Sequence, residues 1–410
     1  MSRIALRPCP MCSGREIDVL HRQALQQPVG SPLPDAYDVA ACLACGFVYA
    51  DTPATQQDYD RYYAAFSKYE DPAVASGSGI GAFEAARFKE TTAAIASRLG
   101  AAARILDIGC AGGGLLTELR RRGFTSLCGV DGAPGCAASV RELGFEAHCL
   151  PLSRLQELKD SGPFDGIILS HVLEHVADVH SVMIAVTSLA TAGARIYVET
   201  PNAARYTDHA YVPFYFFDSE HINHFDPQRL SILGARFGWC TEAIGERTLE
   251  VAPGKHYPAA WAWLRKDAGW AATSQATNST LSAAVRRYVA DCHAAPVYPA
   301  LQSLVAEGVP TIVWGAGSLA QRLFGQGALD ACNIVAIVDR DRNKQGLQIA
   351  GHHIEAPEAA LARHPEAAIL ILAAVHGDAI VQDALTRCPN ACVVTLDAPS
   401  PGQPRGPCHK

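Results

Sequence analysis

Two short stretches hold most of the side chains able to do chemistry. In FFDSEHINHF (216–225), Glu220, His221 and His224 stand close together among aromatic residues. A carboxylate beside imidazoles can ligate a metal, remove a proton near neutral pH, or fill a hydrogen-bonded core. His221 and His224 are spaced i, i+3, so on a helix they would share a face, with Glu220 or Asp218 near enough to ligate a metal with them. Near the N-terminus, CPMC (9–12) and CLAC (42–45) are paired Cys-x-x-Cys knuckles. Four thiolates at this spacing close a tetrahedral site, so Cys9, Cys12, Cys42 and Cys45 are expected to hold a structural Zn2+ with no open position for catalysis. Pro10 and Gly46 suit the tight turns of such knuckles. Buried free thiols and a redox dithiol are the alternatives, though a redox motif normally uses one pair beside a βαβ unit.

The elements that must position these groups are legible from glycine turns and apolar runs. ARILDIGCAGGGLLTELRRRGF (103–124) reads as a buried strand, a glycine-rich turn and an amphipathic helix, an arrangement that brings backbone amides close to a ligand. The next strand, SLCGVD, ends in Asp131, placed to bond ribose hydroxyls. FDGIILSHVLEHVADV (164–179) reads as a strand running into a helix, and ARIYVETPN (194–202) as another strand. This βαβαβ order predicts an α/β, doubly wound sheet. VPTIVWGAGSLAQRLF (309–324) repeats the strand–turn–helix pattern, and NIVAIVDRDRNKQG (333–346) supplies a strand ending in Asp339. AAILILAAVHG (367–377) reads as a later parallel strand of that second sheet. The expected division is a zinc segment with a tyrosine-rich helix (1–75), a first nucleotide-type domain (76–250), connecting helices (251–300) and a smaller Rossmann-like domain (301–410). In YDRYYAAFSKYE (59–70), Tyr62, Tyr63 and Tyr69 are candidates for core or for a lid.

The bulk numbers exclude several classes. A chain of 410 residues is too long for one ordinary core. A net charge of −7 without a basic run argues against nucleic-acid binding. The start MSRIALRPCP lacks a signal-peptide core, and no apolar run reaches membrane-spanning length. The 14 cysteines in so long a chain fit metal ligation and burial better than a secreted disulfide framework. A cytoplasmic protein without membrane or nucleic-acid partners is expected; the oligomeric state is not legible.

Together LDIGCAGGG, GVDGAP and SHVLEHV resemble class I S-adenosylmethionine-dependent methyltransferases over roughly residues 100–245. The resemblance implies that Asp107, Gly109 and Gly113 hold the methionine end of S-adenosylmethionine, that Asp131 holds its ribose, and that His171 lies beside it. Ala111 departs from the family, which usually has glycine there. From the residues alone, Asp107 also reads as a carboxylate that caps or braces the turn. The order of cysteine knuckles, methyltransferase domain and second glycine turn (VDRDRNKQGLQIAGHHIEAPEAAL) is similar to sugar C-methyltransferases, which act on nucleotide-linked deoxysugars. Taken alone, the second glycine turn and its acid suggest a dinucleotide. The similarity implies instead a domain that helps hold a nucleotide-sugar without NAD, where Gly315 and Gly317 could cradle the diphosphate; a purely structural Rossmann remnant is the alternative. The similarity also implies an acceptor roof of Tyr-x-Glu-His, matched by Glu220 and His221 as acid/base pair, with His175 opposite and Tyr69 over the site. Asp218 stands where the family has tyrosine, and this places O-methylation beside C-methylation. Asp218 and His224 are the remaining acceptor-side candidates. A non-sugar acceptor and a catalytically silent scaffold are the competing functions.

Overall fold

The computed structural model describes residues 2–66, 78–267, 279–295 and 298–396. Tyr69 lies outside the described residues. The chain divides into two compact units, one formed by Met1–His21, Asp38–His209 and Glu220–Arg287, the other by Arg22–Tyr37, Ala210–Ser219 and Tyr288–Lys410.

The first unit begins with short strands β1 (Ser2–Ile4), β2 (Glu16–Ala24), β3 (Ala36–Cys42) and β4 (Val48–Asp51). The tyrosine-rich segment is a helix over Gln56–Ala65, as expected. It starts where Thr55 and Asp58 close a capping box, satisfying amides that the first turn leaves without partners. Tyr59 and Tyr62 face the interior.

Next come β5 (Arg104–Ile108), β6 (Ser126–Asp131), β7 (Glu146–Cys149), β8 (Phe164–Ser170) and β9 (Ala190–Pro201). They are followed by β10 (Asn223–His224), β11 (Trp239–Ala252) and β12 (Lys255–Lys266). The large sheet has the order β7–β6–β5–β8–β9–β12–β11. β5 runs parallel to both β6 and β8, β8 parallel to β9, and only β12 is reversed, against β9 and β11. Its central strands are near-continuous apolar runs because helices cover both faces, so Ile105, Ile108, Ile168 and Leu169 are all buried. The order of strands reverses between β5 and β8, and such a switch point opens a crevice beyond the carboxyl ends of those two strands. The glycine turn after β5 and the His171 loop after β8 flank that crevice.

Two expectations fail. Residues 251–300 do not begin as connecting helices: β11 and β12 form a long antiparallel hairpin that completes the sheet, and a helix appears only at Thr280–Ala294. The alternation of tryptophan with alanine in AAWAWL is a strand period; Trp263 packs on Tyr197 of β9 while Trp261 covers Gly245 of β11. SHVLEHV does not run straight into a helix either. His171 adopts a left-handed backbone (φ +57), Leu173–His175 make one tight turn, and the helix starts at Val179 after the Asp178 cap.

The second unit contains β13 (Thr311–Trp314), β14 (Ile334–Val338), β15 (Gln348–Ile349), β16 (His352–Glu355), β17 (Ala368–Ile371) and β18 (Val393–Thr395). Their order is β15–β16–β14–β13–β17–β18, parallel except for β15. Alternate residues enter different cores: Val313, Ile337 and Leu370 on one side, Ile312, Trp314 and Ile371 on the other. Phe216 and Phe217 are buried in this unit against the Tyr288 ring. FFDSEHINHF is thus divided between the units after Ser219.

Candidate active site

At the first glycine turn, Gly109 (φ +73) and Gly113 (φ +76) both take left-handed backbone, and Gly113 caps the helix Gly114–Arg121. A Cβ on Gly109 would come within 2.8 Å of Val172 Cγ2, so a side chain there is crowded as well as strained. Ala111 also has positive φ (+43), a strained choice where glycine would be at ease. The carboxylate of Asp131 accepts from the amides of Ala111 (3.0 Å) and Ala133 (2.9 Å). It therefore ties the glycine turn to the start of the next helix.

Asp107, two residues before the turn, is 3% exposed and has no hydrogen-bond donor among the described residues. Burial, aided by the Asp131 charge and opposed by Arg87, pushes its carboxyl up to about 8. A buried acid without a donor, beside a turn whose amides are tied open, suits the ammonium end of an amino acid such as the methionine moiety of S-adenosylmethionine. Arg87, on the helix Ala82–Ala96, was not foreseen; its Nε is buried without a hydrogen-bond acceptor, and its charge acts on Asp107.

Beyond β8 lies a buried charge network that the sequence did not reveal. His171 sits between two carboxylates, with Nδ1 3.1 Å from Glu174 Oε1 and Nε2 3.2 Å from Glu199 Oε1. Burial opposes protonation, but the hydrogen bonds and charges of both carboxylates outweigh it and raise His171 above its ordinary value. With both ring nitrogens facing carboxylate oxygens, the surroundings favour the protonated ring and make His171 a poor base. Glu199 is pushed up by burial, yet His171 and Arg247 hold it well below the carboxylate range. Arg247 Nη2 and the Tyr197 hydroxyl each lie 2.5 Å from Glu199 Oε2, while Oε1 faces His171. The one cue was a glutamate ending an apolar strand, in RIYVETP.

His175 lies near His221, their ring centroids 4.9 Å apart. His175 Nδ1 is 2.8 Å from the Tyr63 hydroxyl and 3.1 Å from the Glu220 carbonyl, and its Nε2 is 3.9 Å from Glu174. The Tyr62 hydroxyl donates to Glu220 Oε1 at 3.3 Å. Tyr62 and Tyr63, left open between core and lid, therefore reach the same cluster.

The helical metal arrangement of His221 and His224 does not form. Residues 219–222 are loop, and His224 lies on β10, fully buried, its Nδ1 3.1 Å from the Tyr206 hydroxyl. Among the described residues, the ligating atoms that converge with His221 are those of Glu174 and His175. Asp218 belongs to the second unit, where its carbonyl accepts from the Tyr37 hydroxyl at 2.7 Å.

In the second unit Gly315 has φ +114, and a Cβ there would lie 2.8 Å from the Leu372 carbonyl oxygen. Asp339 accepts from the amides of Ala316 (2.9 Å) and Asp341 (3.0 Å) and from Lys344 Nζ (3.1 Å). Lys344 Nζ lies 4.0 Å from where a Cβ of Gly317 would stand, which sets a cation beside the turn.

The four N-terminal cysteines come together as the knuckles require. Cys9 and Cys45 sulfurs are 3.7 Å apart and those of Cys12 and Cys42 3.4 Å. Thiolates on a tetrahedral zinc at about 2.3 Å would be about 3.8 Å apart, so the cluster fits such an ion with little adjustment.

Residues 81–243 match the model of a family described as a methyltransferase domain. The chain is 36% identical over 105 residues to a ubiquinone biosynthesis O-methyltransferase of Xylella fastidiosa (strain 9a5c), covering 24% of this chain and 42% of that protein. It is 34% identical over 107 residues to the enzyme of that name in Xanthomonas oryzae pv. oryzae (strain PXO99A), covering 25% and 44%. The chain thus spans less than half the length of the curated relatives it matches. Among solved structures, the N-methyltransferase NodS of Bradyrhizobium japonicum WM9 has a TM-score of 0.38 at 13% identity, covering 52% of this chain and 97% of that one. Family match, sheet order and glycine turn identify this region as a class I S-adenosylmethionine-dependent methyltransferase domain.

Proposed function

We propose that the protein transfers the methyl group of S-adenosylmethionine to a small-molecule acceptor, with His221 and Glu220 as the acid/base pair. The observation that carries this is the convergence of Glu220, His221, His175, Tyr62 and Tyr63 in the same unit as the glycine turn. S-adenosylmethionine supplies an electrophilic methyl on its sulfonium. The chain's own work is alignment of the acceptor and removal of its proton. Asp107, Gly109 and Gly113 take the methionine end and Asp131 the ribose side. His171, held between Glu174 and Glu199, orders the loop and leaves His221 to act as base, with His175 opposite. Cys9, Cys12, Cys42 and Cys45 hold a structural zinc.

For the acceptor, a nucleotide-linked sugar is the finer proposal. The second glycine turn, with Gly315, Gly317 and Lys344, offers amides and a cation to a diphosphate. The competing acceptor is a phenol-like small molecule, favoured by the identity with proteins named as ubiquinone biosynthesis O-methyltransferases.

The test is formation of S-adenosylhomocysteine with panels of nucleotide-sugars and of phenols. His221→Ala is expected to lower turnover at least 100-fold while S-adenosylhomocysteine binds within twofold of the parent by calorimetry. Full turnover in that variant removes the base assignment. Turnover of phenols alone removes the sugar.

A further inference from the structure

We propose that Arg7, two residues before the first cysteine knuckle, is a positioning residue for the acid/base chemistry. This rests on the assignment of His221 and His175 above.

The Arg7 guanidinium joins three separate stretches of backbone. Nε donates to the Ala50 carbonyl (2.8 Å) and Nη1 to the Ala177 carbonyl (3.1 Å). Nη2 donates to the Ile222 carbonyl (3.0 Å) and to Asn223 Oδ1 (2.9 Å). Ala177 is two residues beyond His175, and Ile222 directly follows His221, so one side chain braces both histidine-bearing loops.

Its partners extend the brace. Asn223 Nδ2 donates to the carbonyls of Leu173 (2.8 Å) and Val176 (2.7 Å), and the Ile222 amide donates to the Glu174 carbonyl (2.8 Å). On the other side β10 pairs with β4, Asn223 opposite Tyr49 and His224 opposite Val48, and the Ala50 amide donates to Ile222. Arg7 also lies over the Tyr49 ring, 5.2 Å from its centroid. The guanidinium's acceptors among the described residues are all neutral, so its part here is geometric. A planar fork of five donors can serve several divergent carbonyls; a lysine ammonium on a flexible stem cannot hold them in register.

His175 Nδ1 faces the Glu220 carbonyl, so a shift of the 220–223 backbone disturbs the His175 hydrogen bond and the His221 ring together. A misplacement of about 1 Å can cost roughly 100-fold in rate. The root of Arg7 is held by Asp51, whose Oδ1 accepts from the amides of Leu6 (2.7 Å) and Arg7 (3.2 Å).

The experiment uses full-length Arg7→Met and Arg7→Lys. For Arg7→Met, kcat with the acceptor from the screen falls at least tenfold, S-adenosylhomocysteine affinity stays within twofold, and the NMR ring signals of His175 and His221 shift while that of His148 does not. Arg7→Lys recovers part of kcat, and it carries the same test should Arg7→Met not fold. Arg236→Met, which removes a different bond to the cysteine segment at the Met11 carbonyl, leaves kcat unchanged. The proposal is overturned by unchanged kcat and histidine signals in the Arg7 variants. It is equally overturned if kcat, cofactor affinity and melting temperature fall together, or if Arg236→Met gives the same loss. If no acceptor in the panels is turned over, the acceptor proposal fails, and the histidine signals alone decide the role of Arg7.

Discussion

The chain contains the strand–glycine turn–helix unit twice, and the two copies solve one backbone problem with opposite electrostatics. In each, an acid at the end of the second strand accepts an amide from the turn: Asp131 from Ala111, Asp339 from Ala316. The first copy adds Asp107 two residues before its first glycine, a buried carboxyl. The second has apolar Val313 at that position and adds Lys344, bonded to Asp339. The motif alone therefore says only that a ligand can approach backbone amides. The side chains beside the two turns differ: a buried carboxyl, Asp107, at the first and an ammonium, Lys344, at the second.

The largest effect expected from this contrast is at Asp107. Asp107→Asn should weaken S-adenosylhomocysteine binding about 10- to 100-fold, the loss of a charge-assisted hydrogen bond. The free carboxyl is raised from 3.8 to about 8, so it carries a proton at pH 7 in the free protein. A bound ammonium requires the ionised form, so binding at neutral pH should release close to one proton. Calorimetry in buffers of different ionisation enthalpy measures this, and Asp107→Asn should abolish the buffer dependence. The same raised value favours the folded, cofactor-free protein at pH below about 4, a contribution lost as pH rises through about 8.

Next in size is the difference between the two first glycines. Gly315→Ala brings a methyl against the backbone oxygen of Leu372 at φ +114, whereas Gly109→Ala meets the end of the Val172 side chain at φ +73. Gly315→Ala should cost up to about 3 kcal/mol of stability and Gly109→Ala about 1 to 2 kcal/mol, as read from urea unfolding. The order of cofactor affinities should be the reverse, with only Gly109→Ala impairing it. Lys344→Met should leave S-adenosylhomocysteine affinity unchanged and weaken uridine diphosphate about five- to tenfold. Equal loss of both ligands would erase the distinction between the turns. The smallest effect belongs to Ala111→Gly, which relieves a left-handed alanine and should raise stability by at most about 1 kcal/mol in thermal melts.

What the sequence disclosed follows from how local each signal is. Glycine turns, the acids that end the following strands and the cysteine knuckles depend on spacing within one or two elements and were legible; that Asp131 and Asp339 bond the turn amides was not. The β11–β12 hairpin was missed because alanine-rich runs carry helix propensity, while the tryptophans that fix the strand do so by packing on Tyr197 and on Gly245. The His171 loop was taken for the start of a helix because its apolar residues fall at helical spacing; the left-handed backbone at His171 has no such mark. The network of Arg247, Glu199, His171 and Glu174 was invisible because its members come from different strands and loops, brought together only by sheet order. Arg7 is the extreme case, since none of its acceptors at Ala177, Ile222 and Asn223 is near it in sequence.

The pairing of β4 with β10 also sets a schedule for synthesis. Arg7 meets its partner at Ile222 only 215 residues later. At a translation rate of about 5 to 20 residues per second, the cysteine knuckle waits roughly 10 to 40 s on the ribosome before its neighbouring strand emerges. Throughout that interval β4 is an open edge able to pair with another nascent chain. Early closure of the four cysteines around a metal would shorten the exposed segment, so zinc supply during translation should govern the yield of soluble protein more strongly than zinc added to the finished chain.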